Sequence, residues 1–238
     1  MRLDAFVSKT LHVTRKEAKR LIEHPGVYVN GQRITRTQTL IDEHHDAVVF
    51  RDQPLHYQAQ HDYLYHKPKG VVVAHRDGQH PTIFDDLNHT RLPATLNALG
   101  RLDKDTTGLL ILSTDGAFIH QLMHGKHTLG KTYDVTLNTP FTESVKLLEP
   151  MTLIDGKGKP YQVKTPTLHH VEGAQVRLTI YEGKTHQIKK MFHALGYEVL
   201  ELHRHAIGSL CLPTTLHPGE LRPLSEAEKT QLLLEATT

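Results

Sequence analysis

Gly100-Arg-Leu-Asp-Lys-Asp-Thr-Thr-Gly-Leu-Leu-Ile-Leu-Ser-Thr-Asp-Gly116 sets a charged, turn-prone stretch against an apolar one. Leu109 to Leu112 is a short continuous apolar run, the pattern of a buried strand. Asp103 stands two residues after Arg101 and just ahead of Thr106, Thr107 and Gly108. Gly108 admits a positive φ or a close backbone approach. A carboxylate beside a fixed cation, at the mouth of a buried strand, is a candidate nucleophile or base. A surface turn closed by a local Arg101–Asp103 pair fits the same pattern.

The flanking segments predict an α+β chain. From Asp62 on, Tyr63–Ala74, Leu109–Leu112, Tyr133–Leu137 and Val176–Tyr181 read as strands. After Asp115, the spacing of Phe118, Ile119, Leu122 and Met123 predicts a helix with one apolar face. Ile188, Met191, Phe192 and Leu195 form a second helical stripe, which leaves His186, Lys189, Lys190 and His193 off it. Ser225 and Glu228 have capping-box spacing, so a last helix is expected to run from there through Leu234. Strands and helices alternate without a regular βαβ repeat, which indicates α+β rather than a doubly wound sheet.

Residues 1–52 read as a small separate unit. Leu3, Phe6 and Val7 suit a first helix, and Thr14 to Glu17 is a capping box opening a second. His24-Pro25-Gly26 stops that helix. Val27 to Ile34, with Asn30-Gly31 at its centre, predicts a hairpin. Residues 53–61 are polar and aperiodic and are expected to be a linker to a larger domain, 62–238.

The net charge of +2 conceals an uneven distribution. Residues 1–40 carry eight Lys and Arg against three acids, a net +5, so the remaining chain is −3. Positive charge gathered on one small unit is an electrostatic footprint for nucleic acid. Arg2, Arg15, Lys16, Lys19, Arg20 and Arg33 are its candidate contacts. The one cysteine, Cys211, lies in Leu210-Cys-Leu-Pro213 and reads as buried packing; it excludes an intrachain disulfide and fits a reducing, cytoplasmic setting. No apolar run reaches the roughly 20 residues a bilayer span needs, and the first residues lack the layout of a secretion signal. Among the 20 histidines, His44, His45, His56, His61, His75 and His80 are scattered. His120 and His124, with His127 nearby, lack further ligands, so no metal is expected. No Walker-type or Gly-x-Gly-x-x-Gly loop is present, so no nucleotide cofactor is expected.

Arg101-Leu-Asp103, with Thr106 and Gly108, resembles the central motif of the RsuA/RluA group of pseudouridine synthases. His66-Lys-Pro-Lys-Gly70 is similar to that group's Asn-Lys-Pro-x-Gly strand, with His66 in place of Asn. Lys131-Thr-Tyr133 resembles its Lys-x-Tyr motif, and Glu182 to Phe192 its third motif, with Lys184 where Arg is common. Leu202 to Gly208 and Leu216 to Leu224 resemble its C-terminal signature. The basic helices and the hairpin of residues 1–52 look like an S4 RNA-binding domain. The whole layout resembles most the RsuA branch, which acts on small-subunit rRNA.

The resemblance implies an S4 domain followed by a mixed, mainly antiparallel catalytic domain. It implies isomerisation of a uridine in 16S rRNA, that at position 516, in free rRNA or a 30S assembly intermediate, by a monomer. Asp103 would be the essential carboxylate, Lys189 the cation paired with it, and Tyr133 the ring stacked on the target uracil. Arg101, Thr106, Ile180, His186 and Gln187 would line the pocket, and Lys131 and Arg204 would contact RNA. The same reaction on large-subunit rRNA, and a non-catalytic S4-type assembly factor, stay open. A glycoside hydrolase would need two carboxylates flanking the bond, and Asp105 is the only second acid nearby.

Overall fold

The computed structural model describes residues 1–43, 45–55, 61–90, 92–93, 95–124 and 128–237. The chain divides into two units, Met1–His61 with Asn88–Leu96, and Asp62–Leu87 with Asn97–Thr238.

In the first unit, α1 (Leu3–Thr10) and α2 (Arg15–Leu21) precede a four-stranded sheet of β1 (Val27–Val29), β2 (Gln32–Ile34), β3 (Val48–Phe50) and β4 (Gln53–Leu55), in the order β2-β1-β3-β4. Leu3, Phe6 and Val7 of α1 meet Ala18 and Ile22 over Val27, Val29, Ile41 and Val48. Thr14 Oγ1 accepts from the Glu17 N–H at 3.1 Å, the N-cap that the spacing predicts. Asn30 and Gly31 both take positive φ, 51° and 80°, and close the hairpin with Val27 opposite Ile34. Residues 53–55, expected in the linker, instead pair with β3, Val48 opposite Leu55. Arg51 and Asp52 make the turn at φ 49° and 61° without a glycine, so the usual hairpin signal is missing. The rest of the expected linker, residues 56–60, lies outside the described residues, as do His44 and His127.

The second unit contains β5 (Asp62–Lys67), α3 (Ile83–Asp86), β6 (Asn97–Ala98), β7 (Thr107–Ser113), α4 (Gly116–His124), β8 (Lys131–Leu137), α5 (Ser144–Leu148), β9 (Thr152–Ile154), β10 (Pro160–Gln162), β11 (Thr167–Glu172), β12 (Gln175–Ile180), α6 (Gln187–Ala194), β13 (Val199–Ile207), β14 (Leu210–Cys211), β15 (Leu221–Pro223) and α7 (Glu226–Thr237). Its main sheet runs β11-β12-β8-β13-β7-β5-β15, with β14 on β13 and β6 on β7. Among the described strand pairs only β13–β7 is parallel, through His203 opposite Thr107 and Arg204 opposite Gly108. One core packs Tyr133, Val135 and Leu178 against Ile188, Met191 and Phe192 of α6. The other packs Leu64, Leu109 and Ile111 against Phe118 and Leu122 of α4 and Leu232 of α7.

Several expectations shift for local reasons. β5 ends at Lys67 rather than Ala74, because Pro68 has no N–H for the ladder and Gly70 turns the chain at φ 96°. Met123 is exposed: Phe118 and Leu122, four apart, carry the buried face of α4. Cys211 is exposed too, since strand alternation sends Leu210 and Leu212 into the core and the residue between them out. α6 ends at Ala194 with Leu195 as its C-cap, and Leu195 still packs against the core that Ile188, Met191 and Phe192 enter. α7 continues past Leu234 to Thr237.

At the start of α7 the capping box is reciprocal: Ser225 N–H donates to Glu228 Oε2 at 2.9 Å and the Glu228 N–H to Ser225 Oγ at 3.3 Å. The Arg222 guanidinium grips the same carboxylate at 2.9 and 2.6 Å. Together they hold the Glu228 pKa down at about 2, Arg222 first and Ser225 after it. A depressed carboxylate stabilises the fold above its unfolded pKa, and that stability is lost as pH falls through the folded one. Glu228→Gln is therefore expected to cost about 1–2 kcal/mol near neutrality. The deficit should shrink between pH 4.5 and pH 2, the interval between the ordinary and the folded pKa. Denaturant unfolding of both proteins across that range checks it.

Candidate active site

The loop entering β7 is built from below. Lys67, fully buried, ends β5 with its ammonium donating to the carbonyls of Pro68 at 3.0 Å, Thr106 at 2.9 Å and Lys104 at 3.4 Å. Burial pulls its pKa down to about 8, against the opposing charges of Asp105 and Asp103. Within the loop, the Thr106 N–H donates to Asp103 O at 3.1 Å and tightens the turn. Gly108 then lies against β13: a Cβ there would stand 2.4 Å from Arg204 O and 2.6 Å from Arg204 N. Gly108, at φ 112°, lets β7 sit this close.

Asp103 opens onto a pocket lined by Arg101, Thr106, Tyr133, Ile180, His186 and Gln187. Seven of the eight residues expected at the catalytic centre and pocket thus share one cavity. Tyr133 is 7% exposed on β8, with Ile180 beside it on β12. Thr106 is 1% exposed, and its hydroxyl has no partner among the described residues. Gln187, also buried, donates to Glu182 Oε1 at 2.6 Å and accepts from the Lys184 N–H at 3.1 Å. That double bond fixes the 182–187 loop and leaves His186 in the left-handed region, φ 54°, at the N-terminus of α6. Strained backbone of this kind concentrates at functional sites.

Lys189 is the eighth residue, and the expectation that it pairs with Asp103 is corrected. Its ammonium binds both oxygens of Asp105, at 2.7 and 2.6 Å. The side chain beside Asp103 is instead the imidazole of His186, with Nε2 3.6 Å from Oδ1. The turn of the loop presents the more exposed Asp105 carboxylate to α6. Burial raises the Asp105 pKa, but the hydrogen bonds and charge of Lys189 outweigh it and leave the carboxyl below its usual range.

The residues expected to contact RNA divide into two groups. Lys16, Lys19 and Arg20 are exposed on α2. Arg2 and Arg15 both bind the buried Asp4 carboxylate, and Arg33 donates to Pro25 O at 3.3 and 3.2 Å, so these three also brace their unit. Arg204 is corrected, while Lys131 keeps part of its surface open. Arg204 is 2% exposed, and its Nε donates to Leu109 O at 2.7 Å. On the inner face of β13 it braces β7 rather than meeting solvent. Lys131 is half-buried, donates to Leu129 O at 3.2 Å, and is pulled down to about 8 by burial. His120 and His124 face each other with ring centres 5.0 Å apart, and no group of three or more metal-ligating side chains is found among the described residues.

Lys67 entered the sequence reading only as part of a motif, although it supports the Asp103 loop. Its signal is parity: it shares a strand face with the buried Tyr65.

Comparison with known proteins places this geometry. The RNA pseudouridylate synthase family model matches residues 61–194, and the S4 domain model residues 1–46. Ribosomal small subunit pseudouridine synthase A of Haemophilus influenzae is 37% identical over 98% of this chain and 100% of its own length. The proteins of that name from Salmonella typhimurium and Escherichia coli K12 are 40% and 39% identical, each over 96% of this chain and 98% of theirs. A crystal structure of a pseudouridylate synthase superposes with a TM-score of 0.65 at 36% identity, covering 98% of this chain and 99% of that one. The pocket around Asp103 therefore sits in an enzyme, and the chain belongs to the RNA pseudouridylate synthase family, with an S4 domain at its N-terminus.

Proposed function

We propose that this enzyme converts one uridine of small-subunit (16S) rRNA, that at position 516, to pseudouridine, and that Asp103 is the carboxylate responsible. The observation that carries the reading is the single pocket that Asp103 lines together with Tyr133, Arg101, Ile180 and His186. The small-subunit target is supported by the relatives, ribosomal small subunit pseudouridine synthases A, which align with this chain over nearly its full length.

The reaction breaks N1–C1′, turns the uracil, joins C5 to C1′ and moves the C5 proton off the ring. The product is an isomer, so no cofactor takes part. Asp103 either attacks C1′ or takes the 2′ proton. Tyr133 offers a ring face to the extruded uracil, a contact worth roughly 1–3 kcal/mol per stacked base. Ile180 walls the base in. Arg101, exposed at the rim, meets the backbone phosphate or fills the gap in the stack. Lys189 acts on the loop through Asp105. The target must leave its stack to enter, and the S4 unit supplies sequence-independent phosphate affinity while the pocket reads the base. The enzyme works as a monomer in the cytoplasm.

Incubating the enzyme with 16S rRNA, and separately with 30S assembly intermediates, then mapping pseudouridine by carbodiimide-dependent primer-extension stops, tests this. One new stop at position 516 is expected; no new stop in either small-subunit substrate, with new stops when large-subunit rRNA is incubated in parallel, would refute the target. Replacing Lys16, Lys19 and Arg20 together by Gln is expected to weaken RNA binding and reduce the slope of log affinity against log salt by up to about 2–3. Turnover on saturating RNA should stay near wild type; its collapse would contradict the division of labour.

A further inference from the structure

The Asp103 pocket continues into a cleft of about 750 Å³, within the ~300–1,000 Å³ typical of ligand clefts. That cleft runs on past Val73, Ala74, Ala98 and Gly100 into a second groove. Arg101 borders all three spaces. At the far end of the groove His75 lies flat on Phe84, ring centres 4.5 Å apart and planes 6° from parallel. His75 is exposed and lines the groove together with Phe84.

Three elements fix this platform. The loop carrying His75 is clipped to the segment before α3, with the Val72 N–H on Pro81 O at 2.9 Å and the Ile83 N–H on Val72 O at 3.0 Å. Phe84 sits on α3, whose start is held by a reciprocal box between Thr82 and Asp85. Asn97 Oδ1, on β6, lies 3.0 Å from His75 Nε2 and sets the angle of the ring. The floor beneath is Ala74, Ala98 and Gly100, small enough to admit a flat group.

We infer that His75, backed by Phe84, is a second base-binding subsite, which takes the nucleobase adjacent to the target uridine in the RNA strand. The inference rests on the reading of the Asp103 pocket as the uridine site. A strand with one nucleotide in that pocket must lead its neighbour along the continuous groove, past the exposed cation of Arg101 and onto the His75 ring. Stacking of this kind tolerates any base, so the subsite contributes affinity and register rather than base identity.

The test uses wild type, His75→Ala and His75→Phe with a small-subunit rRNA fragment carrying tritium at C5 of the target uridine. Matched fragments are abasic at one or the other neighbour. His75→Ala should bind the intact fragment roughly tenfold more weakly, with an unchanged single-turnover rate at saturating RNA, and His75→Phe should retain wild-type affinity. One of the abasic fragments should lose the same factor with wild type and nothing further with His75→Ala. Equal losses for wild type and His75→Ala at both neighbours, or unaltered affinity of His75→Ala, would overturn the subsite. A wild type that binds the fragment but releases no tritium would overturn the isomerase reading instead, while the binding comparison still decides the subsite.

Discussion

Asp103→Asn is expected to reduce the single-turnover rate on rRNA by on the order of 10⁴-fold, the upper end of what one positioned acid–base group supplies. RNA affinity should be nearly unchanged. Asparagine keeps the shape and the turn, because the Thr106 N–H donates to the backbone carbonyl at 103 and not to the side chain. It removes the carboxylate to which the proposed reaction assigns the attack on C1′ or the 2′ proton. Affinity should survive because the proposed mechanism draws much of the phosphate affinity from the exposed cations Lys16, Lys19 and Arg20 of α2. A parallel loss of affinity and rate would mean that Asp103 supports the loop rather than the chemistry.

Gly108→Ala is the second large effect, on stability. A Cβ at 108 meets backbone atoms of Arg204 at 2.4, 2.6 and 2.9 Å, and backbone cannot swing aside as a side chain can. The φ of 112° adds strain for any L residue. Overpacking costs about 1–3 kcal/mol and the disfavoured backbone about 1–3 more, so a loss of about 2–6 kcal/mol is expected. For a chain of this size, that is a fall in Tm of about 4–24 °C. The damage centres on the parallel β7–β13 pair, next to the loop that Lys67 holds, so residual folded protein should also turn over slowly. Thermal unfolding by circular dichroism measures the first effect, and single-turnover kinetics below Tm the second.

Local features were legible in the sequence. The Asn30-Gly31 turn and the caps at Thr14 and Ser225 depend on residues within three or four positions, and all three formed. The gathering of Asp103, Thr106, Tyr133, Ile180, His186 and Gln187 was legible through the family resemblance. What escaped was decided by tertiary geometry. Asp103 and Asp105 stand two apart, and only the folded turn determines which carboxylate faces Lys189. Arg204 was expected to contact RNA, yet it is buried with its Nε on Leu109 O, and Lys67 is buried where three backbone carbonyls converge on its ammonium. Cys211, expected to be buried within Leu210-Cys-Leu-Pro213, is exposed because strand alternation turns the residue between two core leucines outward. The β4 turn lacked a glycine and so lacked its usual mark. His75 and Phe84, nine residues apart, meet only because the intervening loop is clipped at Val72.

The most direct measurement is tritium release from small-subunit rRNA labelled at uracil C5, with wild type and Asp103→Asn compared at saturating enzyme. A carboxylate-driven isomerase releases label from one uridine per RNA with the wild type and none on the same timescale with the variant. Release by Asp103→Asn at the wild-type rate would contradict the account at its centre.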